Sequence, residues 1–240
     1  LEGYLQPGTV SVLVADVDAL ASEIALHFAC QGQEKEGDRT LYLSSLHRKA
    51  VLQRMMAQFE DLRLSKEFST MDRADGEEKR LFVKELLPEH ISDSKLLWDI
   101  DRWIRFGDRV PEPSEELERD SDEKENQAWS TRLVLDNITS LDAKFPLLKN
   151  PKHFLAGAFE LFRHRQQVAL VVDMVEAGTR ANPIERSFAA TLADHVFVLR
   201  HVQFPSQLRS VFSVVKLADR AEPAKICKLE REQLKPQREV

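Results

Sequence analysis

Cysteine is scarce in this sequence, since Cys30 and Cys227 are the only two among 240 residues. Two cysteines are too few for a disulfide framework or a thiolate metal site. The histidines between His153 and His201 do not replace them, because their spacing matches neither H-x-x-x-H nor a Cys/His ligand set. We therefore expect no bound metal, and a reducing, cytoplasmic compartment.

Long apolar runs and basic clusters are also missing. No stretch approaches the roughly 20 apolar residues that span a bilayer, and the chain does not open on a positively charged segment followed by an apolar one. The formal net charge is −6, and residues 112–126, with eight acidic and two basic side chains, account for all of it. These absences argue against a membrane protein and against nucleic-acid binding, which needs a basic surface.

The apolar residues that are present follow the pattern of an α/β fold. Short apolar runs rich in valine and leucine alternate with segments whose apolar residues recur at helical spacing. This order favours a mostly parallel sheet flanked by helices. Two late runs, 196–199 and 211–215, have no helix between them and predict an antiparallel hairpin at the C-terminal edge. The other predicted strands are 10–14, 39–44, 81–83, 133–136 and 168–172, and the main predicted helices are 19–31, 47–59, 96–106 and 152–165.

Composition favours one domain, residues 1–221, followed by a polar tail, residues 222–240, which we expect to be helical or frayed. The acidic, proline-containing stretch 109–127 predicts a solvated loop within that domain. The helix predicted at 96–106 has apolar residues on more than one side. We expect its two tryptophans, Trp98 and Trp103, in the core rather than on an exposed docking face.

Residues 133–136 carry the most informative local pattern. An apolar run ends on Asp136 and passes into a polar turn, as a buried parallel strand does when it delivers a carboxylate to the edge of a sheet. In a nucleotide-binding fold a Mg²⁺-directed acid lies at this position. The alternative interpretation is that Asp136 caps the next turn or hydrogen-bonds neighbouring backbone.

Five segments, taken in order, carry a resemblance to a known family. They are Gly8-Thr-Val-Ser-Val-Leu-Val, Arg39-Thr-Leu-Tyr-Leu-Ser, Leu133-Val-Leu-Asp-Asn-Ile-Thr-Ser-Leu, Leu192-Ala-Asp-His-Val-Phe-Val-Leu-Arg and Val214-Val-Lys-Leu. Together they resemble the RecA-like P-loop ATPases, and most closely the KaiC-like branch. The resemblance covers about residues 8–220, with 60–128 poorly matched, and it implies the RecA-like P-loop fold.

The phosphate-binding loop of that family does not survive here. Such a loop needs G-x-x-x-x-G-K-[ST], because its glycines let backbone N–H groups face the phosphates and its lysine neutralises the phosphate oxygens. The matching window is Ala15-Asp-Val-Asp-Ala-Leu-Ala-Ser22. Only Ser22 is retained, aliphatic residues replace both glycines, and Ala21 replaces the lysine. Asp16 and Asp18 add negative charge where a tri-anion should bind, which is a repulsion of several kcal/mol at short range.

Other roles that the resemblance implies are lost as well. The glutamate pair that orients the attacking water in the family is matched by Leu46 and His47. We interpret His47 as a capping or surface residue at the start of the second helix. Lys216 is retained in the late strand, but Ala218 replaces the arginine that the family uses across its subunit interface.

From these residues we predict a catalytically inactive RecA/KaiC-like domain that is not an enzyme and binds no cofactor. It would serve as a protein-interaction or scaffold module, by self-association or with an active ATPase paralogue. The alternative is a weak or atypical ATP-binding or ATPase domain that uses Ser22, Asp136 and Lys216 with ATP and Mg²⁺. A further alternative, a recombination-accessory RecA paralogue that contacts DNA, lacks the basic surface that it would need.

Overall fold

A computed structural model gives the structure of the chain. The described residues are 5–17, 20–31, 39–57, 81–86, 92–106, 130–144, 150–175, 183–204, 207–218 and 225–229. The acidic stretch predicted to be a loop, 109–127, lies outside these residues, and the division into one domain and a tail stays a prediction.

Eight strands in the described part of the chain form one sheet. They are β1 (Thr9–Asp16), β2 (Thr40–Ser44), β3 (Leu81–Glu85), β4 (Arg132–Asp136), β5 (Val168–Val175), β6 (His195–Phe204), β7 (Gln207–Lys216) and β8 (Lys225–Leu229). The order across the sheet is β3-β2-β4-β5-β1-β6-β7-β8, and β1 to β6 are parallel. The predicted α/β class with a mostly parallel sheet is therefore confirmed.

The C-terminal edge of the sheet contains the predicted hairpin and one strand more. β6 and β7 pair antiparallel over nearly their whole length, and β8 pairs antiparallel with β7 outside them. The expectation of a helical or frayed tail is therefore wrong for Lys225–Leu229. A five-residue strand with two lysines gives little local signal, and its pairing with β7 decides the structure.

The helices of the described chain connect or follow the strands. They are α1 (Ala21–Gln31), α2 (Lys49–Ala57), α3 (Asp93–Phe106), α4 (Thr139–Lys144), α5 (Pro151–His164), α6 (Pro183–Arg186) and α7 (Phe188–Leu192). α5 has a clear start, because the Asn150 side chain accepts a hydrogen bond from the His153 amide and Pro151 occupies the first turn. α2 begins later than predicted, at Lys49, whose amide donates to the Glu85 carboxylate.

The core lies between the sheet and its helices. β2 is buried at every position, as expected for a parallel strand covered on both faces. α5 contributes three fully buried rings, and α3 contributes three fully buried aliphatic side chains: Phe154, Phe159, Phe162, Leu96, Ile100 and Ile104. The expectation for the tryptophans holds for Trp103, which packs against the core, but is wrong for Trp98, which is 53% exposed. Trp98 lies between the cationic groups of Lys95 and Arg102 instead.

Polar contacts tie the layers together away from the carboxyl edge of the sheet. Arg163 of α5 donates to both carboxylate oxygens of Asp194 at 3.2 and 3.3 Å, and the same carboxylate accepts from the Val10 amide at 2.9 Å. At the end of α3, the Ser130 amide donates to the Ile104 carbonyl at 3.1 Å. The chain therefore enters β4 next to the point where it leaves α3.

Candidate functional site

The candidate site lies at the carboxyl edge of the parallel strands, where open α/β sheets bind their ligands. Polar side chains lie at or near the carboxyl ends of four neighbouring strands there: Asp16, Ser44, Ser45, Asp136, Asn137 and Asp173. All of them are buried, so each needs a hydrogen-bond partner inside the protein.

Asp136 is at the centre of this edge and is completely buried. Its Oδ2 accepts a 2.7 Å hydrogen bond from the Tyr42 phenol of the neighbouring strand. Burial raises the pKa of Asp136 above the usual carboxyl value, while the hydroxyls of Tyr42 and Ser22 and the nearby His47 oppose that rise. The carboxylate is therefore held by hydroxyl groups in a site that disfavours its charge.

Ser22, in the first turn of α1, lies beside Asp136 as the sequence predicted. Its side chain is buried, and it is close enough for its hydroxyl to lower the pKa of Asp136. By strict hydrogen-bond geometry, however, Ser22 Oγ and Asp136 Oδ1 both lack a partner within the described residues. The two oxygens therefore form no regular hydrogen bond, and the effect of the Ser22 hydroxyl on the pKa of Asp136 is what links the two side chains.

The turn after β4 is stabilised by its neighbours rather than by Asp136. The Asn137 side chain accepts from the Ser140 amide at 2.9 Å and so caps α4, while the Ser45 amide donates to the Asp136 carbonyl at 2.7 Å. The interpretation that Asp136 caps the next turn is therefore wrong, since Asn137 has that role. The Asp136 carboxylate bonds the Tyr42 side chain rather than backbone. A lone tyrosine inside an apolar strand was the sequence signal for this partner, because a buried phenol needs one.

The window that matches the phosphate loop, residues 15–22, is partly strand. β1 continues through Asp16, which pairs with Val175, and the Val17 amide donates to the Val175 carbonyl at 3.2 Å. The Asp16 carboxylate accepts from the His201 amide at 2.9 Å. Asp16 is therefore engaged in the sheet, whereas Asp18, the second predicted acid of this window, lies outside the described residues.

The two positions that match the family's glutamates follow β2. Leu46 is exposed, and the His47 amide donates to Ser44 Oγ at 3.0 Å. α2 begins at Lys49, so His47 precedes the helix instead of opening it. His47 lowers the pKa of Asp136, so its imidazole is near the carboxylate. His47 is half-exposed, which agrees with its interpretation as a surface residue, but it does not begin the helix.

Lys216 does not lie with Ser22 and Asp136 in this chain. It ends β7, and the order of the sheet places β5, β1 and β6 between β7 and β4, a separation of about 19 Å at the usual strand spacing. Its ammonium donates to the Ala193 carbonyl, just before β6. A single nucleotide site formed by all three residues is therefore not assembled within one chain.

ATP and Mg²⁺ are the groups that the fold family would bind here. Ser22 and Asp136 supply the oxygen atoms that Mg²⁺ prefers, so the metal half of the site fits by residue type. The phosphate half does not, because Ala21 is uncharged and fully buried and Asp16 is held in the sheet. In the described residues, no group of three His, Cys, Asp or Glu side chains is arranged to hold a metal ion.

The strand order, the flanking helices and the buried acid at the end of β4 define a RecA-like α/β fold of the P-loop class. Among solved structures, the fold is similar to that of a KaiC-like protein from the hyperthermophilic archaeon Pyrococcus horikoshii, with a TM-score of 0.67. The two are 16% identical, and the match covers 95% of this chain and 88% of that one. The resemblance to the KaiC-like branch is thereby confirmed at the level of the fold, which is all that this identity shows.

Sequence comparisons add nothing to this assignment, since no family model and no curated protein matches the chain. None of the helices among the described residues is both long enough and apolar enough to cross a bilayer.

Proposed function

We propose that the chain is a catalytically inactive RecA/KaiC-like domain that acts as a protein-interaction or scaffold module. It would associate with itself or with an active ATPase of the same fold. One observation carries this proposal: the sheet and its buried core are in place, whereas the described residues that match the phosphate loop, among them Ala15 and Ala21, lack the glycine and the lysine that a triphosphate requires. Ala21 carries no charge, and Lys216 lies on another part of the sheet. A domain that has lost its catalytic groups but retains its fold can still present a surface that other proteins bind.

The carboxyl edge is the part of that surface that best supports a protein contact. Val17, just after β1, and Leu46, just after β2, are 44% and 38% exposed. Leu46 stands where the family has a glutamate that orients water, so an apolar side chain replaces a catalytic one. Single exposed apolar residues are common on protein surfaces, so Val17 and Leu46 do not by themselves define an interface. They are the positions that we would mutate to locate the contact.

Light scattering after size-exclusion chromatography tests the proposal. We expect a mass that is a multiple of 27.6 kDa and that falls as the protein is diluted from about 100 to 1 μM. For the second form of the proposal, a purified active ATPase of the same fold is titrated with the chain and the complex is measured in the same way. A strict monomer that also fails to bind such ATPases would contradict both forms.

A weak or atypical ATP-binding domain is the second candidate, and one observation favours it: Ser22 lies beside Asp136. Lys216 lies on another part of the sheet, and neither Ser22 nor Asp136 supplies a cation to the phosphates. Calorimetric titration with Mg-ATP separates the two candidates, because micromolar binding that Asp136→Ala abolishes would support the enzyme class. No structural observation supports the DNA-binding alternative. Salt-sensitive DNA binding in a titration would support it.

A further inference from the structure

The end of β1 differs from a phosphate-binding loop in its backbone. In such a loop the chain leaves the sheet after the first strand, so that successive amides turn towards the anion. Here Ala15 pairs with Met174, Asp16 pairs with Val175, and the Val17 amide also donates to Val175. The first part of the window is therefore bound to β5, and only residues 18–20 remain before α1 begins at Ala21.

The side chain of Asp16 links the end of β1 to β6, the neighbouring strand on the side away from β5. β1 pairs with β6 only as far as Ala15 opposite Leu199. Two residues further along β6, the Asp16 carboxylate accepts a hydrogen bond from the His201 amide at 2.9 Å. Asp16 is 6% exposed, so this is a buried, charge-assisted contact of the stronger kind. It joins the end of β1 to β6 just where the regular pairing stops.

We infer that Asp16 is a tether that holds the end of β1 in the sheet, and that this tether excludes a triphosphate from residues 15–22 even when the missing lysine is restored. The inference rests on the proposed function and explains how the inactive site is closed. It also predicts that restoring the lost glycines and lysine is not sufficient for binding. If Asp16 acted only by charge repulsion, neutralising its carboxylate would be enough to permit binding, and Asp16→Asn and Asp16→Ala would behave alike.

Two variants separate the tether from the charge. Both carry Ala15→Gly, Leu20→Gly and Ala21→Lys; one adds Asp16→Asn, which removes the charge and keeps an acceptor, and the other adds Asp16→Ala, which removes both. Each is titrated with Mg-ATP and with Mg-pyrophosphate by calorimetry, beside the triple variant that keeps Asp16. We expect binding by the Asp16→Ala protein, binding about tenfold weaker or more with Asp16→Asn, and none by the triple variant.

Three results would overturn the inference: binding by the triple variant, equal affinity of the Asn and Ala forms, or no binding by the Ala form. Amide hydrogen exchange in the otherwise unaltered chain gives a second measurement that does not depend on multiple substitutions. The Val17 and His201 amides should exchange about tenfold faster in Asp16→Ala than in Asp16→Asn, and equal rates would also count against the tether. The association measured by light scattering is independent of these results, so a failed tether leaves the scaffold proposal to its own test.

Discussion

The Tyr42 phenol of β2 donates a 2.7 Å hydrogen bond to Oδ2 of Asp136 at the end of β4, and neither side chain is exposed to solvent. Burial and the neighbouring Asp136 charge raise the pKa of Tyr42, so the phenol stays protonated and remains the donor at neutral pH. The pair gives the candidate site its main internal contact. Burial makes the charge of Asp136 unfavourable in the folded state, and the Tyr42 hydrogen bond offsets only part of that cost.

Replacing Asp136 by Asn should stabilise the protein at neutral pH. Because burial raises the pKa of Asp136, the folded state holds this proton more tightly than the unfolded state. Its contribution to stability is present at low pH and is lost as the pH rises from the usual carboxyl value through the raised value. We expect Asp136→Asn to be more stable than the unaltered chain by about 1–3 kcal/mol at pH 7.5, with the difference shrinking towards pH 4.

Urea unfolding at the two pH values measures this difference. Glu160→Gln is the matched control, because it neutralises a carboxylate that is 76% exposed and should change stability little at either pH. At each pH the quantity compared is the free energy of unfolding of Asp136→Asn minus that of the unaltered chain. A smaller value at pH 7.5 than at pH 4 would show that the carboxylate stabilises the folded state.

Replacing Tyr42 by Phe should destabilise the protein, because Asp136 then loses its hydroxyl donor in a buried site. We expect a loss of about 1–3 kcal/mol in the free energy of unfolding at pH 7.5. The Tyr42 hydrogen bond lowers the pKa of Asp136, so its removal should also move the pH-dependent loss of stability to higher pH. In a double-mutant cycle with Asp136→Asn, the two effects should be coupled; simple additivity would mean that the hydrogen bond contributes nothing.

Removing the Asp194 carboxylate should weaken the attachment of α5 to the sheet. Asp194 accepts from Arg163 and from the Val10 amide, and charged hydrogen bonds of this kind contribute about 1.5–3 kcal/mol. We expect Asp194→Ala to lower the free energy of unfolding, measured with urea, by an amount in this range. Arg163 also pairs with the exposed Glu160, and Glu160→Gln should cost about 0.5 kcal/mol or less. Equal losses from the two substitutions would contradict a special role for Asp194.

Charged substitutions at the carboxyl edge should disrupt association. Val17→Asp and Leu46→Asp each place a charge on a side chain exposed at that edge, and burying an unpaired charge in a contact is strongly unfavourable. We expect either variant to be monomeric by light scattering at concentrations where the unaltered chain associates. Trp98→Asp on α3 is the matched control, because it removes a larger exposed apolar side chain from another element. If only Trp98→Asp abolished association, the contact would lie on α3 rather than at the carboxyl edge.

The strands and the parallel order of the sheet were predictable because each buried strand is a short apolar run and helical segments separate them. The grouping of Ser22 with Asp136 came from the resemblance to the KaiC-like branch, because β5 separates β1 from β4 in the sheet and local pattern does not reveal that order. Lys216 was misplaced because its distance from Asp136 depends on three intervening strands, which local pattern does not reveal. The Asp16 contact was missed because it joins residues 185 positions apart, and the charge alone suggested repulsion.

The 3.1 Å hydrogen bond from the Ser130 amide to the Ile104 carbonyl has a practical consequence for protein engineering. It holds the end of α3 and the start of β4 side by side, so the distance that the chain between them must close is short whatever its length. The entropy cost of closing it grows by about 0.6 kcal/mol for each doubling of length. A fluorescent protein or an affinity tag inserted within residues 107–129, after the buried Phe106 that ends α3, should therefore leave the sheet intact, which makes this position a suitable attachment point for a reporter of assembly.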